Sequence, residues 1–294
     1  MHQSAIHTDP ITDSAYTIST VNNKGGVGKT TITANIAALC ADLGQRVLMI
    51  DCDPLASLTK YFALSNAAPN GLSYALGKRK IDGTCTSSTS IERLDIICHD
   101  AGMPATLIEL TAAFNPAFVL ETAIKQLREH DIYDIVMIDT PGAQGLLQDI
   151  GVVAAELLIA PVVPETLAAR EIEPLIALLR RIEQGMPGSR QSGVQCRPII
   201  SRATNTTNAR AMTADLRSMF LQTRGRFNAC NTVIAASAVF DKAAANKVAV
   251  HQIEPRRNGV LGPASANLFA LVAELLPHLH ERVNAELKQE EQGQ

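Results

Sequence analysis

Eight consecutive residues, Lys24-Gly-Gly-Val-Gly-Lys-Thr-Thr31, carry the most specific chemistry in the chain. Successive main-chain N–H groups in a glycine-rich turn form a concave nest for phosphate oxygens, and a helix N-terminus behind it adds positive potential. Lys24, Gly25, Gly26, Val27, Gly28, Lys29, Thr30 and Thr31 are therefore the expected phosphate-binding residues, with Lys29 reaching the β- and γ-phosphates and the Thr30 hydroxyl on Mg²⁺. Counting back from Gly28, the first glycine of the usual G-x-x-x-x-G-K-[ST] pattern is replaced by Asn23, and a second lysine, Lys24, opens the loop. The pattern points to a nucleoside triphosphate. Three carboxylates, Asp51, Asp53 and Asp139, stand at the ends of apolar runs and are candidates for the same site.

The elements that must position these groups follow from the hydrophobic pattern. Tyr16–Val21 is β-rich and leads into the loop, and Thr30–Leu43 has helical spacing, closed by Gly44. Arg46–Asp51, Leu94–Cys98, Tyr133–Asp139, Leu157–Val163 and Cys196–Ser201 read as strands, with helices over Phe118–His130 and from about Ala168 to Ile182. Continuous Val/Ile/Leu runs alternating with helices predict an α/β fold, a mostly parallel sheet covered on both faces. Ligands of such sheets bind at the carboxyl ends of the strands, where Lys24–Thr31, Asp51–Asp53 and Asp139 would converge. Asp82–Ser90 reads as a surface loop, and Leu268–Leu287 as a last amphipathic helix interrupted near Pro277.

Composition bounds the rest. The 294 residues are 46% apolar, 19% charged and 4% aromatic without Trp, enough for a core built from Ala, Leu, Ile and Val. The expected organisation is a flexible leader over 1–15, one domain over 16–287 and a frayed polar tail over 288–294. No apolar run reaches the roughly 18 residues of a bilayer span, and the polar start lacks a secretory signal, so a cytoplasmic protein without membrane attachment is expected. The six cysteines form no Cys-x-x-Cys pair and read as reduced packing thiols. Net charge is −3, yet ten basic residues face only three acidic ones between Arg197 and Arg257. That excess marks a candidate anion-binding face.

The loop resembles the deviant Walker A box of the ParA/MinD family of ATPases. Val47-Leu-Met-Ile-Asp-Cys-Asp-Pro54, Asp134-Ile-Val-Met-Ile-Asp-Thr-Pro141 and Leu158-Ile-Ala-Pro-Val-Val-Pro-Glu165 are similar to that family's further blocks, and the likeness runs from about Ala15 to His251. The blocks match partition ATPases of the ParA type better than MinD. The resemblance implies a P-loop fold, Mg²⁺-dependent hydrolysis of ATP, and a homodimer in which Lys24 crosses to the partner's phosphates. It implies that Asp53 orients the attacking water, and that Thr30, Asp51, Asp53 and Asp139 form the metal set; Lys24, Lys29 and Asp53 are the catalytic candidates. It further implies non-specific DNA as a matrix and a ParB-type adaptor that triggers hydrolysis, with segregation of a plasmid or chromosome as the output. The DNA-contacting candidates are Arg217, Arg224, Arg226, Lys242, Lys247, Arg256 and Arg257, flanking a Val233–Val239 segment similar to the family's I-P-x-S block. Ala235 and Ala236 depart from that block, and Leu55 stands where the family has Gln.

Other readings are weaker. Asn246-Lys247 is followed by Val-Ala rather than the x-Asp that reads guanine, which favours ATP over GTP. An iron–sulfur relative would need shared cysteine ligands, and none lies in Asp139–Pro164. The C-terminal helix ends in Glu290-Glu291 and lacks the profile of a membrane-surface anchor. A family member that positions a protein assembly would share every nucleotide residue and differ in its adaptor.

Overall fold

A computed structural model describes residues 15–165, 169–185, 194–223, 227–254 and 261–288. The strands are β1 (Tyr16–Thr20), β2 (Val47–Asp51), β3 (Leu64–Asn66), β4 (Ser87–Thr89), β5 (Leu94–Ile97), β6 (Ile135–Asp139), β7 (Leu157–Val162), β8 (Gln195–Ala203) and β9 (Val233–Ala235). They form one nine-stranded sheet in the order β3-β4-β5-β2-β6-β1-β7-β8-β9. Every pairing from β5 to β9 is parallel, and at the other edge β4 runs antiparallel to both of its neighbours, β3 and β5.

Side chains alternate across the sheet, so β2, β6 and β7, buried on both faces, are almost wholly apolar, whereas β1 carries the buried hydroxyls of Thr17, Ser19 and Thr20. Ile18, Met49, Met137, Ile159 and Ile199 point into one core, under α1 (Lys29–Asp42) and the later helices α8 (Ala238–Ala245), α9 (Val250–Ile253), α10 (Pro263–Leu275) and α11 (His280–Lys288). Leu48, Ile50, Val136 and Ile138 point the other way, under α2 (Leu72–Lys78), α3 (Met103–Thr111), α4 (Val119–Arg128) and α5 (Leu146–Val153). Leu158, Ala160 and Val162 continue that second face beneath α6 (Ala169–Gly185) and α7 (Thr207–Gln222).

The predicted strands and the helix over Phe118–His130 appear within two residues, whereas α6 runs three residues past Ile182 and the C-terminal helical stretch begins at Pro263, five residues before Leu268, with Pro277 interrupting it. One expectation is corrected: Asp82–Ser90 is not wholly loop, because Ser87–Thr89 pairs with both β3 and β5. Ser-Ser-Thr has no apolar alternation, and its pairing comes from the neighbouring edge. All six cysteines are free, five of them buried. No helix among the described residues is long and apolar enough to cross a membrane.

Candidate nucleotide site

The loop after β1 occupies the centre of the sheet, between the ends of β6 and β7. Gly26 and Gly28 take φ of 75° and 95°, left-handed conformations that glycine alone adopts without strain, and Gly28 caps α1. The turn is anchored on both sides. Ser201 Oγ donates to the Val27 carbonyl at 2.8 Å and Arg202 Nη1 to the Gly26 carbonyl at 2.6 Å. Asn22 accepts from the Lys24 N–H at 2.8 Å and donates to the Pro161 carbonyl at 2.7 Å, and Gln148 bonds Asn23 at 2.8 Å. Val27 itself is buried, so it offers the site its main chain only.

Lys29 is buried with its ammonium 3.4 Å from the Lys24 carbonyl. Burial pulls its pKa down, and the nearby Asp139 and Asp53 carboxylates oppose that pull. A Cβ added at Gly142 would stand 3.3 Å from the Lys29 ammonium, so the segment after β6 approaches the loop closely. Lys24 lies at the rim, its ammonium 2.9 Å from Glu165 Oε2 in the same chain.

Asp139 lies at the C-terminal end of β6 and is fully buried. Its Oδ2 accepts from Thr30 Oγ1 at 2.5 Å, whereas its buried Oδ1 has no hydrogen-bond partner. Burial, with Asp51 and Asp53 adding their charge, pushes its carboxyl up to about 8 despite the Thr30 bond and Lys29. An orphaned buried carboxylate oxygen beside a loop threonine fits a hydrated divalent cation. No group of three or more His, Cys, Asp or Glu side chains among the described residues could enclose a metal. Mg²⁺ keeps waters and takes phosphate oxygens alongside one or two carboxylates, a coordination to which Thr30 and Asp139 could contribute.

Asp51, also in the metal set expected from sequence, is held within the chain. Both of its oxygens are engaged: Oδ1 accepts from the Asp53 N–H at 3.1 Å, and Oδ2 accepts from the Thr59 N–H and hydroxyl, each at 2.7 Å. It is fully buried, which raises its carboxyl pKa against those bonds. Asp51 thus clasps the two ends of the Asp53–Thr59 loop. Asp53 does line the cleft. Its Oδ1 accepts from the Leu55 N–H at 3.0 Å, and Ala56 follows at φ 52°.

Two concavities meet at the loop. A cleft of about 880 Å³ is bounded by Gly25, Gly26, Gly28–Thr31, Asp53–Leu55, Lys60, Pro141–Ala143 and Arg202. A narrower pocket of about 400 Å³ shares Gly28, Thr31 and Arg202 with it and is closed by Ser201, Ile234–Ala238, Phe240 and Asp241. Ala235, Ala236 and Ser237, read from sequence as part of a DNA-contacting segment, are thus walls of a pocket beside the phosphate loop. Of the basic candidates, Arg217 is on α7 with Nη2 on the Asn231 carbonyl at 2.6 Å, Lys242 is exposed on α8, and Lys247 follows α8. Arg224, Arg226, Arg256 and Arg257 lie outside the described residues. Sequence reasoning assigned no role to Lys60, Thr59 or Arg202. The rule that parallel sheets present ligands at their carboxyl ends, applied to β8, would have found Arg202.

A glycine turn at the central crossover of a parallel sheet, a buried lysine and a strand-end aspartate together define a P-loop nucleotide-binding protein. The chain belongs to the AAA domain family whose model matches residues 15–189, the group of ParA/Soj/MinD partition ATPases. It is 29% identical to the sporulation initiation inhibitor protein Soj of Bacillus subtilis over 57% of this chain and 66% of that one. Against the chromosome-partitioning ATPase Soj of Thermus thermophilus the figure is 29% over 69% and 76%, and against the chromosome partitioning protein ParA of Caulobacter vibrioides 30% over 57% and 62%. The matched region thus spans about two thirds of the length of these relatives. The fold is shared with an ATP complex of a variant of Cyanothece McdA, at TM-score 0.72, 17% identity and coverage of 92% and 97%. It is shared also with the septum site-determining protein MinD from Pyrococcus horikoshii bound to Mg-ADP, at TM-score 0.64, 20% identity and coverage of 91% and 98%.

Proposed function

We propose that this chain is a Mg²⁺-dependent, ATP-hydrolysing partition switch that works as a homodimer on non-specific DNA. The observation that carries the reading is the phosphate loop with its extra lysine, packed against Asp139 and bordered by Asp53. The base lies in the pocket beneath β8 and β9. The phosphates then run along the loop toward the ends of β2 and β6, under the N–H groups of Gly25–Thr31 and the Lys29 ammonium.

Thr30 and Asp139 hold the hydrated Mg²⁺, which neutralises charge on the β- and γ-phosphates when bound. Asp53, at the γ-phosphate end of the cleft, orients a water for in-line attack. The water oxygen bonds to the γ-phosphorus as the bridging oxygen leaves with ADP. Lys24 supplies the switch. Held on Glu165 within one chain, it exchanges that exposed carboxylate for a phosphate bound by the second subunit, so dimerisation depends on the triphosphate.

In the dimer, Arg217, Lys242, Lys247 and the basic positions 224, 226, 256 and 257 form the DNA face. Their phosphate contacts are independent of sequence. A ParB-type adaptor stimulates hydrolysis and releases the protein, which alternates between the cytoplasm and the nucleoid, and the cargo is a plasmid or chromosome.

The test is binding to random-sequence duplex DNA with ATP, ADP or no nucleotide across a salt series, with Lys24→Ala alongside. Binding only with ATP, falling steeply with salt and absent in the variant, is the expected result. ATP-dependent dimers that do not bind DNA would overturn the DNA step and leave a positioning ATPase on another matrix.

A further inference from the structure

The cleft contains a cation with no role in the proposal above. Among the described residues, three basic side chains line it, against the single carboxylate of Asp53, and each is bonded to a main-chain carbonyl: Lys29 to Lys24, Arg202 to Gly26, and Lys60 to Leu55 at 3.1 Å. Lys29 and Arg202 are fixed on the phosphate loop itself. Lys60 is not. It directly follows Thr59, where the Asp51 carboxylate clasps the loop, and its stem reaches back over that loop to the tip.

The acceptor it holds there is weak. Leu55 is 74% exposed, so water can replace the ammonium at the Leu55 carbonyl at small cost. A phosphate oxygen is a charged acceptor, and charge-assisted bonds are roughly twice as strong as bonds to neutral groups. Topology says which phosphate lies nearest. Arg202 borders both concavities, whereas Asp53, Leu55 and Lys60 border only the cleft, on the side away from the β8–β9 pocket. A nucleotide with its base in that pocket presents its terminal phosphate to the Asp53–Lys60 loop.

We propose that Lys60 is a γ-phosphate-binding residue that moves from the Leu55 carbonyl to the terminal phosphate and so makes the Asp53 loop respond to triphosphate but not diphosphate. The inference rests on the nucleotide reading above and adds a specificity-determining residue to it. Its transfer also frees the Leu55 tip, which carries Ala56 in a left-handed conformation that strains a non-glycine residue.

Affinities of the full chain for Mg-AMPPNP and Mg-ADP, measured by isothermal titration for wild type, Lys60→Met and Lys60→Arg, test it. Lys60 is exposed, so the variants fold. Lys60→Met is expected to weaken AMPPNP about tenfold and ADP less than twofold, with Lys60→Arg restoring most of the loss. Equal loss for both nucleotides, or loss for neither, overturns the assignment and leaves Lys60 a brace of the loop. Wild-type protein that binds neither nucleotide overturns the nucleotide reading itself, and the Lys60 assignment with it.

Discussion

Two aspartates two residues apart do different work here. Asp51 has every oxygen committed to main-chain and hydroxyl donors, and Asp53 keeps its carboxylate on the cleft. Asp53→Ala is therefore expected to lower hydrolysis on the order of 10²-fold while leaving ATP affinity within about twofold, because orienting a water acts on the transition state. Phosphate release beside equilibrium binding decides it, and an equal fall in both would sink the orienting role. At this scale the sequence was legible in the convergence of Lys24–Thr31 and Asp139 at one end of the sheet, where Thr30 bonds Asp139. It was not legible at Asp51, whose bonds to Thr59 leave no mark in the sequence pattern. Nor was it at Lys60 and Arg202, whose distance along the chain from the loop, 31 and 173 residues beyond Lys29, hides that all three share one cleft.

Among the elements, α5 sets how closely the Asp139 strand is held. A Cβ added at Gly151 would lie 2.7 Å from Thr140 Cγ2 and 3.2 Å from Ile138 Cγ2, so helix and strand touch through a glycine. Gly151→Val is expected to cost about 1–3 kcal/mol by overpacking. Because the displaced Thr140 adjoins Asp139, nucleotide affinity in Mg²⁺ should fall as well. A thermal melt paired with nucleotide titration checks both, and an unchanged melting temperature would contradict the packing argument. The parallel strands were readable because burial on both faces demands unbroken apolar runs, as in Val47–Ile50 and Ile135–Ile138. The β3–β4 edge was not, since Leu64–Asn66 is exposed and Ser87–Thr89 is polar, and such strands form only when a neighbour offers its free edge.

Across the whole molecule, the late helices are locked onto the sheet by one mostly buried ion pair. Arg197 on β8 meets Glu274 on α10 at 2.8 Å, and Glu274 also accepts from the N–H groups of Asn231 and Thr232 just before β9. Burial pushes the Glu274 carboxyl up, but those bonds and the Arg197 charge outweigh it and hold the pKa below its ordinary value. A carboxyl depressed on folding stabilises above its unfolded pKa, about 4.3, and that contribution is lost as pH falls through the lower folded value. Glu274→Gln should cost about 3 kcal/mol at neutral pH and progressively less toward pH 3, read as the gap between wild-type and variant denaturant midpoints. A gap that does not narrow in acid would rule the carboxylate out as its source. The Asp51 clasp has a counterpart in time. One carboxylate holds both ends of the Asp53–Thr59 loop, so the loop opens as a hinged plate. The amides of Asp53 and Thr59 should then exchange with deuterium at one common rate, slower than frayed surface turns and quickened together by Asp51→Asn.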